Sequence, residues 1–220
     1  MLKKKADIII PHQDQHESLK NLLELISYKD FNINVISGGH FGENCNKGAM
    51  IATTNKIILL NDDTLPDNDG LLQMAFLLNT YDIVGSSQIS KVRGKKRFYG
   101  MYFPMDKDDK FHPNLTDKPN KSLFPCAFCM GIRKDVWREL RGFDEGFKNG
   151  HEDVDFCIRA ILAGKSMVLL DLAIPHIEGQ SKDRSTFRDQ NLQHLYDKWT
   201  LEKLNSFKNS FNNIPIIKRW

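Results

Sequence analysis

Lys56-Ile57-Ile58-Leu59-Leu60-Asn61-Asp62-Asp63-Thr64 is the stretch from which the rest of the chain can be read. Its apolar run is too short for a helix and has no polar alternation, so it reads as a strand buried on both faces. Such strands belong to parallel sheets covered by helices on each side. The run stops at an amide and two carboxylates. In open α/β sheets ligands bind just outside the carboxyl ends of the strands. Carboxylates placed there suit a hard divalent cation, which takes oxygen ligands. The same residues also fit an ordinary turn with a helix N-cap, because Asn and Asp are common at strand ends.

Upstream, residues 6–10 are an apolar run closed by Pro11, and Leu19, Leu22, Leu23, Leu25 and Ile26 recur at helical spacing. Residues 33–36 read as the next strand, closed by Gly38-Gly39, and residues 43–53 as the next helix. Downstream, Leu71, Leu72, Met74, Ala75, Leu77 and Leu78 mark a helix, and residues 82–85 a fourth strand. This alternation predicts an α/β fold with a mostly parallel sheet and right-handed connections. Residues 11–14, 37–39 and 61–64 then converge on one crevice.

Residues 91–123 break the rhythm. They are rich in Lys, Asp, Asn and Pro, with aromatics at Phe98, Tyr99, Tyr102, Phe103 and Phe111. Long irregular segments of this kind are often binding loops or lids. The order then returns: an apolar stretch at 124–132, helices at 135–140 and 152–163, a strand at 166–170, a separate extended piece at 173–177 and a helix at 186–199. The tail, 205–220, is expected to dock on the body or to pack against a second copy in a homodimer.

At 220 residues, with 40% hydrophobic and 27% charged residues, the chain is one large domain or two small ones, with the composition of a soluble globular protein and an ample core. A net charge of +3 argues for no particular partner. The local run Lys91-Val92-Arg93-Gly94-Lys95-Lys96-Arg97 can touch phosphate or be a solvated loop. Cys126 and Cys129 form a lone CxxC with apolar flanks; without a second pair it reads as packed thiols, not zinc. No segment has the length of a membrane span. The expected location is cytoplasmic, with any membrane contact peripheral.

A second acidic cluster, His151-Glu152-Asp153-Val154-Asp155, opens the helix at 152–163. The helix dipole favours acids in a first turn. Three carboxylates in four residues also repel one another, and a nearby cation or hydroxyl donor relieves this. A carboxylate there can act as a base on a substrate held by a cation at the first cluster. His176, between Pro175 and Ile177, fits a hydrogen-bonded structural histidine or a metal ligand. Gly38-Gly39-His40-Phe41-Gly42 permits close backbone approach but carries no dinucleotide or P-loop pattern.

In order along the chain, these segments resemble family-2 glycosyltransferases with the GT-A fold, over roughly residues 6–200. The carrying residues are Ile8-Ile9-Ile10-Pro11-His12-Gln13-Asp14 with Glu17-Ser18-Leu19, Phe41-Gly42-Glu43-Asn44-Cys45-Asn46-Lys47-Gly48-Ala49, and Ile58 to Thr64 as a DXD-type motif. To these are added Met130 to Trp137, Gly142-Phe143-Asp144-Glu145, Gly150 to Arg159, and His176-Ile177-Glu178-Gly179-Gln180-Ser181. The resemblance implies a single Rossmann-like domain over 1–200, with a nucleotide-sugar half at 1–90, an acceptor half at 91–200 and a tail at 201–220. It implies Asp63 and His176 as ligands of Mn²⁺ or Mg²⁺, Asp153 as catalytic base, and Glu152 and Asp155 on the acceptor side. Pro11, His12, Asp14, Ser37, Asn46, Lys47, Asn61 and Asp62 would face the donor. The family's acidic residue after its second strand is absent: that strand ends Val35-Ile36-Ser37-Gly38-Gly39, which leaves the nucleotide open among UDP, GDP and dTDP.

The expected activity is metal-dependent, inverting transfer of a sugar from a nucleotide-sugar donor to an acceptor hydroxyl, of a glycan or surface polysaccharide. Alternatives are transfer to modified bases of viral DNA and a sugar-nucleotide-binding protein without turnover. A nucleotidyltransferase would want a glycine-rich basic loop near the first strand, and Pro11-His12-Gln13-Asp14 offers none.

Overall fold

β1 (Ala6–Pro11) is buried at every position because it lies between two parallel neighbours, β2 (Phe31–Ile36) and β3 (Lys56–Leu60). The computed structural model describes residues 3–13, 17–102, 113–177, 186–206 and 210–219. The first half continues through α1 (Glu17–Leu25), α2 (Phe41–Ile51), α3 (Asn68–Leu77) and β4 (Ile83–Ser90). Then come β5 (Lys96–Phe98), β6 (Met101–Tyr102), β7 (Asn114–Leu115), β8 (Cys129–Arg133), α4 (Lys134–Glu139) and α5 (Glu152–Leu162). The chain closes with β9 (Met167–His176), α6 (Arg188–Lys198), α7 (Leu201–Ser206) and β10 (Ile216–Lys218).

The main sheet runs β10-β9-β4-β8-β3-β1-β2, with β5 pairing with β4. All pairs along this path are parallel except those of β8, which is antiparallel to both β3 and β4. The mostly parallel α/β architecture is thus as expected, and the sheet is continuous across both halves of the sequence. Successive strand residues enter opposite cores, as the strand period requires. Ile57 and Leu59 join the cluster containing Trp137, Phe143 and Phe156; Ile58 and Leu60 join the one containing Leu22, Leu71 and Met74. α2 sits close on β1 because residue 48 is glycine: a Cβ there would lie 2.3 Å from Ile9 Cγ2.

Two segments differ from expectation, and for a third, the tail, the structure takes one of the two expected courses. The two extended pieces at 166–170 and 173–177 are one strand, β9, whose register against β4 shifts between Ser86 and Gln88. Ala173 there is left-handed, with φ 55°. The Ser87 hydroxyl pins this bulge, donating to Asp171 Oδ1 (2.6 Å) and accepting from Ala173 N (2.8 Å). Residues 91–123 carry three short strands and a 3₁₀ turn at Pro119–Lys121; residues 103–112, with Phe103 and Phe111, lie outside the described part. The tail docks on the body: β10 adds a parallel strand to β9, Leu204 and Ile214 are buried, and Arg219 pairs with Asp67 at 2.7 Å. Among the described residues, no helix is long and apolar enough to cross a membrane.

Candidate active site

The turn after β3 is stitched to two other segments. Asn61 N donates to Phe128 O (2.8 Å), Ile177 N to Asp63 O (3.1 Å) and Leu65 N to Pro175 O (3.0 Å). This brings Asp63 and His176, both nearly buried, side by side, with Asp63 Oδ1 3.1 Å from His176 Nε2. The other ring nitrogen, Nδ1, lies 2.6 Å from Gln88 Oε1 on β4. An amide oxygen only accepts, so Nδ1 carries a proton, which in the neutral ring leaves the lone pair on Nε2. The Asn61 amide nitrogen, 3.4 Å from Nε2, donates to that same lone pair. Phe128 stacks on the imidazole with centroids 5.1 Å apart.

Asp63 Oδ1 and Asn61 Oδ1 are both buried and receive no hydrogen bond. Buried polar atoms without partners are costly and call for explanation. Two such oxygens beside an imidazole lone pair form an environment that a cation relieves. The 3.1 Å between Asp63 Oδ1 and His176 Nε2 fits adjacent ligands of an octahedral ion, which are about 3 Å apart when bonds are about 2.1 Å. Among the described residues no cluster of three or more His, Cys, Asp or Glu is positioned to hold a metal.

At the end of β1, His12 Nδ1 lies 2.6 Å from Asp62 Oδ2. Asp62 is thus committed to the β1 end while Asp63 turns toward β9. Pro11 is buried against Ile36, and His12 N donates to Ile36 O at 2.8 Å, so the exposed Ser37 follows directly beside this crest. Asp14 lies outside the described residues. Gln13 reaches the second half: its side-chain nitrogen donates to Asn149 Oδ1 at 3.0 Å, and that oxygen also accepts from Phe41 N at 2.8 Å.

Asn149 and His151 are both left-handed, with φ 56° and 72°, and this turn sets the start of α5. The three carboxylates that follow face different surroundings. Glu152 is buried and accepts from Gly150 N at 2.7 Å. Asp155 is fully buried and held by Arg159 (2.8 Å), Lys198 (2.8 Å) and the Trp199 indole N–H (2.8 Å). Its carboxylate joins α5 to α6 and is taken up by that network, which separates it from the expected acceptor role. Asp153 is half-buried, and its oxygens accept from Val154 N (2.9 Å) and Ala127 N (3.0 Å). Two backbone amides fix its direction, and each oxygen keeps a lone pair for another donor. Ala127 is next to Phe128, so two consecutive residues join Asp153 to Asn61 and His176.

Two expected donor residues sit elsewhere. Asn46 is a tie between α2 and the 142–145 loop, bonding Phe143 N, Phe143 O and Glu145 Oε1 at 2.9–3.0 Å. Lys47 is exposed on α2. The four cysteines form no disulfide. Burial pushes the Cys45 thiol well up, with the nearby charges of Glu152 and Asp153 adding to it; burial likewise raises Cys129 and Cys157. Gln88, Phe128 and Asn149 had no signal in the sequence, since nothing in a strand or loop pattern marks a residue that orients another.

A family model described as "Glycosyl transferase family group 2" matches residues 56–209. No curated protein sequence matches. Among solved structures, the catalytic domain of Drosophila beta1,4galactosyltransferase 7 in complex with xylobiose superposes with a TM-score of 0.50 at 16% identity. The match covers 74% of this chain and 63% of that one, so the chain spans less than two thirds of the matched structure. The architecture is that of the GT-A glycosyltransferases.

Proposed function

The chain belongs to glycosyl transferase family group 2, and from that premise we propose a metal-dependent, inverting glycosyltransferase that moves a sugar from a UDP-, GDP- or dTDP-linked donor to a hydroxyl of a glycan. One observation carries the reading. A buried carboxylate lies beside a histidine whose ring stacks on Phe128, and the preceding residue, Ala127, donates its N–H to a half-buried carboxylate, Asp153.

In this reading Asp63 and His176 would hold Mn²⁺ or Mg²⁺, which would supply neutralisation of the charge gathering on the departing diphosphate. Asp62, kept in place by His12, and Pro11 border the nucleotide side. Asp153 accepts the proton of the acceptor hydroxyl as that oxygen bonds to the anomeric carbon. The bond from that carbon to the diphosphate breaks on the opposite face, so the configuration inverts. Gln88 keeps the proton of His176 on Nδ1, and Phe128 holds the plane of the ring.

A thermal-shift screen of nucleotide sugars with and without Mn²⁺ tests the reading. Saturation at about 100 times Kd stabilises a folded protein by about 2.7 kcal/mol, and for a chain of this size that raises Tm by roughly 5–10 °C. One donor class is expected to give this rise with Mn²⁺ and little without it. A rise independent of the metal, or none for any nucleotide sugar, refutes it.

A further inference from the structure

The cations of this chain are unevenly placed. Residues 91–97 and 113–121 carry seven Lys and Arg and a single acid, Asp117, for a net +6, whereas the whole chain carries +3. The remaining residues are therefore net negative, by 3. Most of the seven lie exposed on one contiguous surface. The two segments are joined by Lys96–Asp117 at 2.6 Å and by Tyr99 N donating to Thr116 O at 2.8 Å.

This surface is built, not merely solvated. Lys96 N donates to Arg93 O (3.3 Å), and the two residues between, Gly94 and Lys95, are both left-handed with φ 67° and 58°. That is the primed turn favoured in tight hairpins. The turn's base is closed by Arg93 N on Ser90 Oγ at 3.1 Å. Phe98 is buried beneath, with the Arg93 guanidinium 5.8 Å and the Lys96 ammonium 5.9 Å from its ring centroid. Arg97 sits 5.5 Å over Tyr99 and pairs with Asp171 at 2.6 Å. The rings serve to hold cations upward.

The surface also adjoins the candidate site. Ser90 is the register partner of His176, and Lys91 N donates to His176 O at 3.0 Å. Gln88, which orients His176, faces Phe98 across the β4–β5 pair. A chain lying on the hairpin therefore runs past the metal side of the crevice.

We propose that this basic surface seats an anionic acceptor, a glycan polymer carrying phosphate groups, and so sets the substrate class of the transfer. The inference rests on the glycosyl-transfer reading. Nucleic acid fits less well. Single strands are bound by stacking on open aromatic faces as well as by charge, and the rings described here are occupied by cations. A domain that binds nucleic acid generally has a pI above about 9, against 8.6 for this chain. A lipid surface fits less well too, since Val92 is the one large apolar side chain exposed on the described part of this surface.

The test uses the full chain and four probes: labelled poly(glycerol phosphate), neutral dextran, a short DNA duplex, and vesicles of phosphatidylcholine with phosphatidylglycerol. The phosphate polymer is expected to bind and dextran not, with affinity falling at least tenfold between about 50 and 200 mM salt, as for other multi-phosphate contacts. The triple variant Lys91→Gln, Arg93→Gln, Lys95→Gln should lose about tenfold, in line with screened charge contacts; Lys118→Gln with Lys121→Gln, on the other segment, should lose a similar factor. Equal binding of dextran, unchanged affinity in both variants, or tighter binding of duplex or vesicles than of polymer overturns the proposal. Nucleotide-sugar binding measured in parallel separates the two ideas. Donor binding without polymer binding fails this inference alone; polymer binding with no nucleotide sugar bound fails the transferase reading alone.

Discussion

His176 keeps its lone pair on Nε2, beside a carboxylate oxygen that itself receives no hydrogen bond, and a glutamine enforces that tautomer. Outer-shell partners of this kind commonly change metal affinity by about 10–100-fold when removed. Gln88→Met keeps the volume and removes the acceptor, so Mn²⁺ affinity measured by electron paramagnetic resonance should fall by about that factor. Gln88→Glu retains an acceptor and should restore most of it. Equal affinity in all three proteins would mean that the tautomer is set by something else. Asp63 stood out as a candidate in the sequence because it follows the end of a buried strand. His176 was legible only through its place in an ordered series of motifs. Gln88 was not legible, since it looks like any polar residue on a strand, and its role exists only because β4 and β9 are neighbours.

At the scale of the element, α5 shows why three carboxylates in four residues are tolerated. The helix turns each to a different neighbour: Glu152 back to Gly150 N, Asp155 into the interior, Asp153 toward Ala127 N. Asp155→Ala would leave Arg159, Lys198 and the Trp199 indole without their shared acceptor. Breaking a buried pair costs about 3–5 kcal/mol; partial exposure of both cations puts this case near the lower figure, read by urea denaturation. Wild-type stability with a raised KM for acceptor would return Asp155 to the acceptor side. The helix itself was plain from its apolar spacing, but which acid faces inward depends on α6, and no local pattern carries that. From sequence β9 looks like two pieces because its apolar run breaks at Asp171; the Ser87 bulge absorbs the interruption. β10 was invisible for a related reason: three residues make a strand only when an open edge is there to receive them.

Across the whole molecule, one sheet is built from both halves of the sequence, and the pairs Lys148–Glu43 and Gln13–Asn149 tie the halves together. Asp144 is a tie within the second half, joining the 142–145 loop to α6. Burial alone would raise its pKa, but hydrogen bonds and charge from Lys198, the Gly146 N–H and His194 outweigh this and bring it from 3.8 to about 2. Because the folded value lies below the unfolded one, its stabilisation is fully present above about pH 4 and fades as pH falls toward 2. Asp144→Asn should therefore lower Tm at neutral pH, and the gap to wild type should close between about pH 4 and 2; a gap that stays constant over that range contradicts the tie. The alternation of strands and helices made the parallel strands β1 to β4 legible, whereas the inserted antiparallel β8, the edge strand β10 and the hairpins within 91–123 depended on contacts far apart in sequence. In the proposed reaction the two clusters supply separate parts, a metal-bound donor at Asp63 and His176 and a base at Asp153. Transfer and Mn²⁺-dependent nucleotide binding measured together on Asp153→Asn test this most directly. Loss of general-base help should reduce transfer by about 10²–10⁴-fold with nucleotide affinity unchanged; transfer at the wild-type rate would contradict it.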